Sequence, residues 1–296
     1  MANARDTKKK KPNGNLRRIL VASDLTAYSD RAFDRAVMLA VENKAAVHFL
    51  HAIERNLLPD GYVRQNIREA QARLEHEVRD SGIGTHLDVS VKVAMGDADK
   101  TIVEESRVMQ SDLIVMGLSH DATLAGMVRG TTIEKVVRRT RCPVLVVKTR
   151  ARRSYVKIAA AVDLAEPSRQ ALDFALRVFP SAKFTILHVD ETTRVGRRAD
   201  AVGSAAGIER RHQIEDMVAA RFESAGRGKL GATNGPALIV ENGKAVNVLQ
   251  EQVLRLHPDL VVLGTHGRTG VSDIFLGSVA ETLLEVLPHD VLVARA

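Results

Sequence analysis

Short runs that are apolar at nearly every position alternate along this chain with stretches whose apolar residues recur every three or four positions. In the second half the uninterrupted runs fall at 157–162, 184–189, 237–240, 260–263 and 291–294. Between them lie SRQALDFALRVF, GIERRHQIEDMVAARFESA, AVNVLQEQVLRL and SVAETLLEVL, whose spacing predicts amphipathic helices. Strands apolar on both faces, each followed by a helix, predict a parallel sheet covered on both sides. Ser29, and Ser168 after Pro167, are expected to cap the first helix of each half, since a hydroxyl can accept from the orphan amides there. In a sheet wound this way, ligands bind beyond the carboxyl ends of the strands, where the winding reverses.

The pattern occurs twice. DLIVMG at 112–117 meets DLVVLG at 259–264, 147 positions on, and at the same offset Gly130 meets Gly277 and Glu134 meets Glu281. Near the start of each half Asp24 falls over Asp163 and Ser29 over Ser168, and FLHAIE pairs with ILHVDE. Matches that keep their order and differ by short indels point to duplication. The expected fold class is α/β: two tandem, doubly wound, five-stranded Rossmann-like domains packed as a pseudo-dimer. A basic arm at 1–15 precedes a first domain at 16–149 and a second at 155–296. The terminal strands VLVVKT and VLVARA have the composition to pair across a pseudo-twofold interface.

Composition changes this picture little. Hydrophobic residues are 45% of the 296, a globular value, while aromatics are 3% and Trp is absent. The core must therefore rest on aliphatic residues, and base-stacking platforms for single-stranded nucleic acid are disfavoured. The net charge of +7 comes largely from seven Lys/Arg against Asp6 in the first twenty residues, so the body is near neutral. KKKKPNGN reads as a solvated arm, with weak contact to nucleic acid or an anionic surface as its alternative role. KTRARR at 148–153 reads as an exposed linker. The single cysteine, Cys142, excludes an internal disulfide and reads as a small buried hydrophobe. No apolar stretch follows the basic arm and no run reaches the length of a membrane span, so a cytoplasmic protein without membrane insertion is expected.

Candidate chemistry concentrates in GTHGRTGVSDIFLGS, 264–278. Gly264 and Gly267 permit close backbone approach, and Gly277 with Ser278 opens a helix whose free amides favour phosphate. Ser278 adds a hydroxyl and Arg268 a charge. Spacing alone leaves open that these glycines only make turns. The stretch lacks the lysine of a P-loop and follows the fourth strand, not the first. His48 and His51 resemble a metal pair, but residues three apart on a strand face opposite ways. His51 and His188 occupy matching positions and are expected to be packed structural histidines, and no metal site is expected.

With its aspartate after the first strand, LHV in the second and DLVVLGTHG in the fourth, the chain resembles the universal stress protein family in tandem form, from about Leu16 to Ala296. Gly264, Gly267, Gly277 and Ser278 match that family's G-x-x-G, nine residues, G-[ST]. The resemblance implies an adenine nucleotide alpha hydrolase-like fold and ATP as ligand, with Mg2+ as companion ion. Asp163 would face the adenine and ribose end, and the Val189 backbone would bond adenine. Gly264, Gly267, Gly277 and Ser278 would wrap the ribose and phosphates, with amides from Val279 and Ala280, and His266 and Arg268 flanking. Ala165 stands where the family often has a hydroxyl. The first copy keeps Asp24, Thr26, Gly117, Gly130 and Thr131, but His120 replaces the inner glycine and intrudes on the phosphate path, and Ala52 replaces the strand-two valine. The implied function is a stress-response regulator that holds ATP in its second domain, the first being largely structural. A slow ATPase using His266 or Arg268, or a nucleotide-free scaffold for an unknown protein partner, are the alternatives. Further homodimerisation stays open.

Overall fold

The computed structural model describes residues 16–54, 63–118, 131–191, 205–233, 235–265 and 276–295. The first half runs β1 (Arg18–Ser23), α1 (Ala27–Asn43), β2 (Ala46–Ile53), α2 (Val63–Asp80), β3 (Val89–Met95), α3 (Ala98–Val108), β4 (Leu113–Gly117), α4 (Thr132–Arg139) and β5 (Val144–Val147). The second repeats it: β6 (Lys157–Ala161), α5 (Glu166–Val178), β7 (Lys183–Asp190), α6 (Ala205–Ser224), β8 (Ala237–Asn242), α7 (Ala245–Leu256), β9 (Leu260–Gly264), α8 (Ser278–Val286) and β10 (Asp290–Ala294).

All ten strands join one sheet in the order β3-β2-β1-β4-β5-β10-β9-β6-β7-β8. Every neighbouring pair is parallel except β5 and β10, which run antiparallel with Leu145 opposite Leu292. Each is the last strand of its half and would otherwise be an open edge, so pairing them satisfies both ladders. The terminal strands thus meet as their composition predicts. Strand alternation sends Ile19, Val21, Ile158 and Ala160 to one core layer and Leu20, Ala159, Val261 and Val291 to the other. The first layer carries the aromatic pairs, such as Phe33 on Phe49 with centroids 4.5 Å apart.

A polar knot holds the halves beside this pair. Asp290 is fully buried and accepts from Lys148 N (2.8 Å), Thr149 N (2.9 Å), Thr149 Oγ1 (3.0 Å) and Tyr155 Oη (2.6 Å). Arg35 Nε lies 3.7 Å from Asp290, and its guanidinium sits 4.0 Å over the Tyr155 ring. The segment read as an exposed linker is therefore partly strapped down: Lys148 Nζ donates to Leu287 O (2.6 Å) and to Leu284 O at the end of α8, and Arg153 pairs with Asp259. Burial pulls the Lys148 ammonium down to about 8, against the attraction of Asp290 and Glu285. The pseudo-equivalent Arg295 donates to Arg138 O at the end of α4 (2.6 Å), so each half caps a helix of the other.

Candidate functional site

The turn after β6 is built around Asp163. Its Oδ1 accepts from Ser168 Oγ (2.6 Å) and Ala165 N (3.0 Å), and its own N–H donates to Ser168 Oγ (3.1 Å). Ser168 lies inside the first turn of α5, whose N-cap is Ala165, and Ser29 likewise lies inside α1 and bonds Asp24. Neither serine is the N-cap predicted from sequence. Both hydroxyls clasp the aspartate instead, because the helix begins two or three residues earlier. Asp163 is half-buried, and its Oδ2 has no hydrogen-bond partner among the described residues.

Strand two supports the same turn. His188 Nδ1 donates to Val162 O (2.8 Å), and in the first half His51 Nδ1 donates to Ser23 O (2.8 Å). Each ring pins the strand end that precedes its aspartate, which is the structural role predicted for the pair. Thr26 Oγ1 donates to Asp24 Oδ1 (2.6 Å), and Ala165 loses this bond but keeps the backbone one from its own N–H. Leu187 O accepts Val162 N (2.9 Å), so alternation along β7 turns the Val189 backbone groups the same way, towards the space beyond β6. Val189 and Asp163 thereby border one opening.

Gly264 ends β9 at the other side of that opening. Packing against α5 requires a glycine there, whatever else approaches it. A Cβ there would lie 2.6 Å from Ser168 N and 2.8 Å from Pro167 C and Ser168 Cα, all backbone of α5. Thr265 follows, 2% exposed; its N–H donates to Ala294 O (3.1 Å) and its carbonyl accepts Gly277 N (2.6 Å). That last bond seats the start of α8 beside the end of β9.

The two copies differ most at this helix start. In α4, Thr131 is the N-cap: its hydroxyl accepts Glu134 N (3.2 Å), and Glu134 Oε2 accepts Thr131 N (3.2 Å), a complete capping box. In α8 the N-cap is Gly277, with no side-chain cap bond, and Glu281 reaches across the junction to Arg138 (2.8 Å). Among the described residues the first amides of α8, from Ser278, Val279 and Ala280, therefore find no side-chain acceptor, and the helix dipole adds partial positive charge. What this end can hold is an anion.

Models of the universal stress protein family match residues 15–148 and 154–295. The chain belongs to this family. Universal stress protein E of Escherichia coli is 43% identical over 56 residues, 19% of this chain and 18% of that protein's length. Universal stress protein A homolog 1 of Coxiella burnetii is 30% identical over 142 residues, 47% of this chain and 94% of that protein. A universal stress protein from Archaeoglobus fulgidus superposes with a TM-score of 0.67 at 18% identity, covering 94% of this chain and 96% of its own. That likeness shows the tandem fold, with both family domains in one sheet.

Of the residues expected to hold nucleotide, Asp163, Val189 and Gly264 lie at or just past the carboxyl ends of β6, β7 and β9 and Gly277, Ser278, Val279 and Ala280 at the start of α8, while His266, Gly267 and Arg268 lie outside the described residues. So do His120 and Gly130 of the first copy. Among the described residues no three His, Cys, Asp or Glu groups converge as metal ligands, and no helix is long and apolar enough to cross a membrane. His48 turns away from His51: its Nδ1 lies 2.7 Å from Ser90 Oγ and its Nε2 3.2 Å from Glu105, and burial lowers its pKa. Burial likewise raises the Cys142 thiol to about 12, which removes it as a nucleophile. Sequence reasoning missed the Ser168 clasp and the closing bond of Thr265. The S/T-x-x-E signature of the α4 capping box was legible at Thr131 and Glu134. The same signature at Ser278 and Glu281 would have misled, because Glu281 is engaged elsewhere.

Proposed function

We propose that the second half of this protein binds ATP and acts as a regulatory, nucleotide-holding module, while the first half is its structural support. The observation that carries the reading is the contrast between the uncapped start of α8 and the sealed start of α4. A phosphate can take the amides of Val279 and Ala280 and the Ser278 hydroxyl without displacing a resident acceptor. At the other end of the opening Asp163 Oδ2 is free for a ribose hydroxyl, and the Val189 backbone offers a donor and acceptor to adenine. Mg2+ fits as an ion carried by the phosphates, since Mg2+ commonly keeps its waters and takes ligands from substrate oxygens. His266, Gly267 and Arg268 complete the proposed set by their place in the family motif.

The test is to denature the purified full-length protein, identify any released nucleotide by mass, and titrate ATP into the emptied protein. One ATP per chain is expected, with affinity at least about tenfold lower in Asp163→Ala, where a charge-assisted bond is lost. A second ATP per chain that is lost in Asp24→Ala would overturn the asymmetry, and no nucleotide with no affinity would favour the scaffold. Phosphate release in the same titration reads whether His266 or Arg268 supports turnover.

A further inference from the structure

Where the halves meet, a cleft of about 860 Å³ opens beside the sheet, with walls from α3, α4 and the turns after them on one side and α5 and the end of β10 on the other. Five arginines line it: Arg107, Arg139, Arg141, Arg177 and Arg295. The two lining acids are already engaged. Asp112 accepts the backbone N–H groups of Arg17 (2.9 Å) and Arg18 (3.0 Å), and Asp173 pairs with Arg221. Arg107 and Arg139 pair with Glu104 and Asp99 through well-exposed guanidinium groups. The Arg107–Glu104 pair is exposed on both sides and contributes little, whereas Arg139 stays committed to Asp99, which is buried. Arg141 and Arg177 form no salt bridge among the described residues, although Arg177 attracts the Asp173 carboxylate and lies 5.3 Å over the Phe174 ring.

The duplication supplies a control for what folding alone demands. At the 147-residue offset Arg107, Arg139 and Arg141 become Leu254, Val286 and Pro288. Leu254 and Val286 are each 43% exposed. The same backbone corner thus forms with apolar residues on the opposite side of the pseudo-twofold. The junction thus packs without arginines at these three positions, while the counterpart of Arg295 is Lys148, which caps a helix as Arg295 does.

We propose that this cleft is a second binding site, for an anion carrying several linked phosphates. Guanidinium forks match phosphate oxygens two at a time, and convergent arginines suit a chain of phosphates better than a single one. The volume lies within the range of small-molecule sites, about 300–1,000 Å³. Ala294, which lines the cleft, is the register partner of Gly264, so the site lies one strand from the proposed ATP opening yet uses none of its side chains.

The test is calorimetric titration of the full-length protein with inorganic tripolyphosphate at low salt, where charge pairing is least screened. One site per chain is expected, weakened at least about tenfold in the double variant Arg141→Ala/Arg177→Ala, with ATP affinity unchanged. Both side chains are exposed, so the variant's melting temperature should match the parent's. No binding by the parent overturns the proposal. So does equal binding by the variant, which would place tripolyphosphate at the start of α8. Loss of ATP binding with tripolyphosphate binding intact would sink the ATP reading and leave this one standing.

Discussion

Gly264→Ala separates two reasons for a glycine at the end of β9. The added methyl would meet Ser168 N at 2.6 Å and two further α5 backbone atoms at 2.8 Å, and no rotamer relieves a backbone clash. Overpacking of this kind costs about 1–3 kcal/mol, so about 2 kcal/mol is a fair centre. For 296 residues unfolding together, an unfolding entropy of about 2.1 cal/mol/K per residue converts this to a melting temperature lower by about 3 °C. If the second half melts alone, the same cost spread over half the residues gives about 6 °C. The displaced turn also carries Ser168, whose hydroxyl holds Asp163, so ATP affinity should fall with stability. The assay pairs thermal melting without nucleotide with ATP titration. Unchanged melting with weakened ATP binding would refute the packing argument and return Gly264 to ligand approach alone.

Four further substitutions probe the frame. Asp290→Ala strands four donors and Arg35 in a buried knot, and should cost about 3–5 kcal/mol by urea denaturation, with faster proteolysis of the 148–156 segment. Lys148 has a folded pKa of about 8 against 10.5, so below pH 8 it is charged in both states and the folded state bears the burial cost. As pH rises from 8 to 10.5 the folded state sheds this proton first, so stability relative to Lys148→Met should rise across that window; a flat or falling difference would contradict the burial. Thr131→Ala opens the α4 capping box and should cost about 1 kcal/mol, whereas Ser278→Ala in the nucleotide-free protein should cost well under that, since Ser278 caps nothing.

The fold was legible because its signals are redundant. Short apolar runs alternating with amphipathic helices, in two matching halves, admit few arrangements other than a covered parallel sheet, and the apolar composition of both last strands foretold β5 against β10. At the candidate site the contacts that hold each described residue were not legible in the sequence. Ser168 sits where an N-cap is expected in sequence, yet Pro167 lets the helix start earlier and frees the hydroxyl for Asp163. Gly264 carries no mark that distinguishes a glycine needed by a helix from one needed by a ligand. The Asp290 knot had no sequence signal either: its partners lie more than a hundred residues away, and its counterpart in the first copy is Pro143.

One charge reversal explains why only one helix start is open. Arg138 draws Glu281 away from α8 across the junction, at 2.8 Å. The reciprocal contact would join Glu134 to Glu285, the residue standing 147 positions after Arg138. Two carboxylates repel, so Glu134 stays at home and closes the box with Thr131. On this argument the first half keeps the start of α8, the proposed phosphate site, open from across the junction. Arg138→Ala should release Glu281 to the start of α8, where its carboxylate competes with phosphate for Ser278 N–H and the helix dipole. ATP affinity should then fall several-fold, and adding Glu281→Ala should restore it, a rescue that simple loss of a surface ion pair could not produce. Equal ATP affinity in Arg138→Ala and the parent would show that the open end of α8 owes nothing to this bridge.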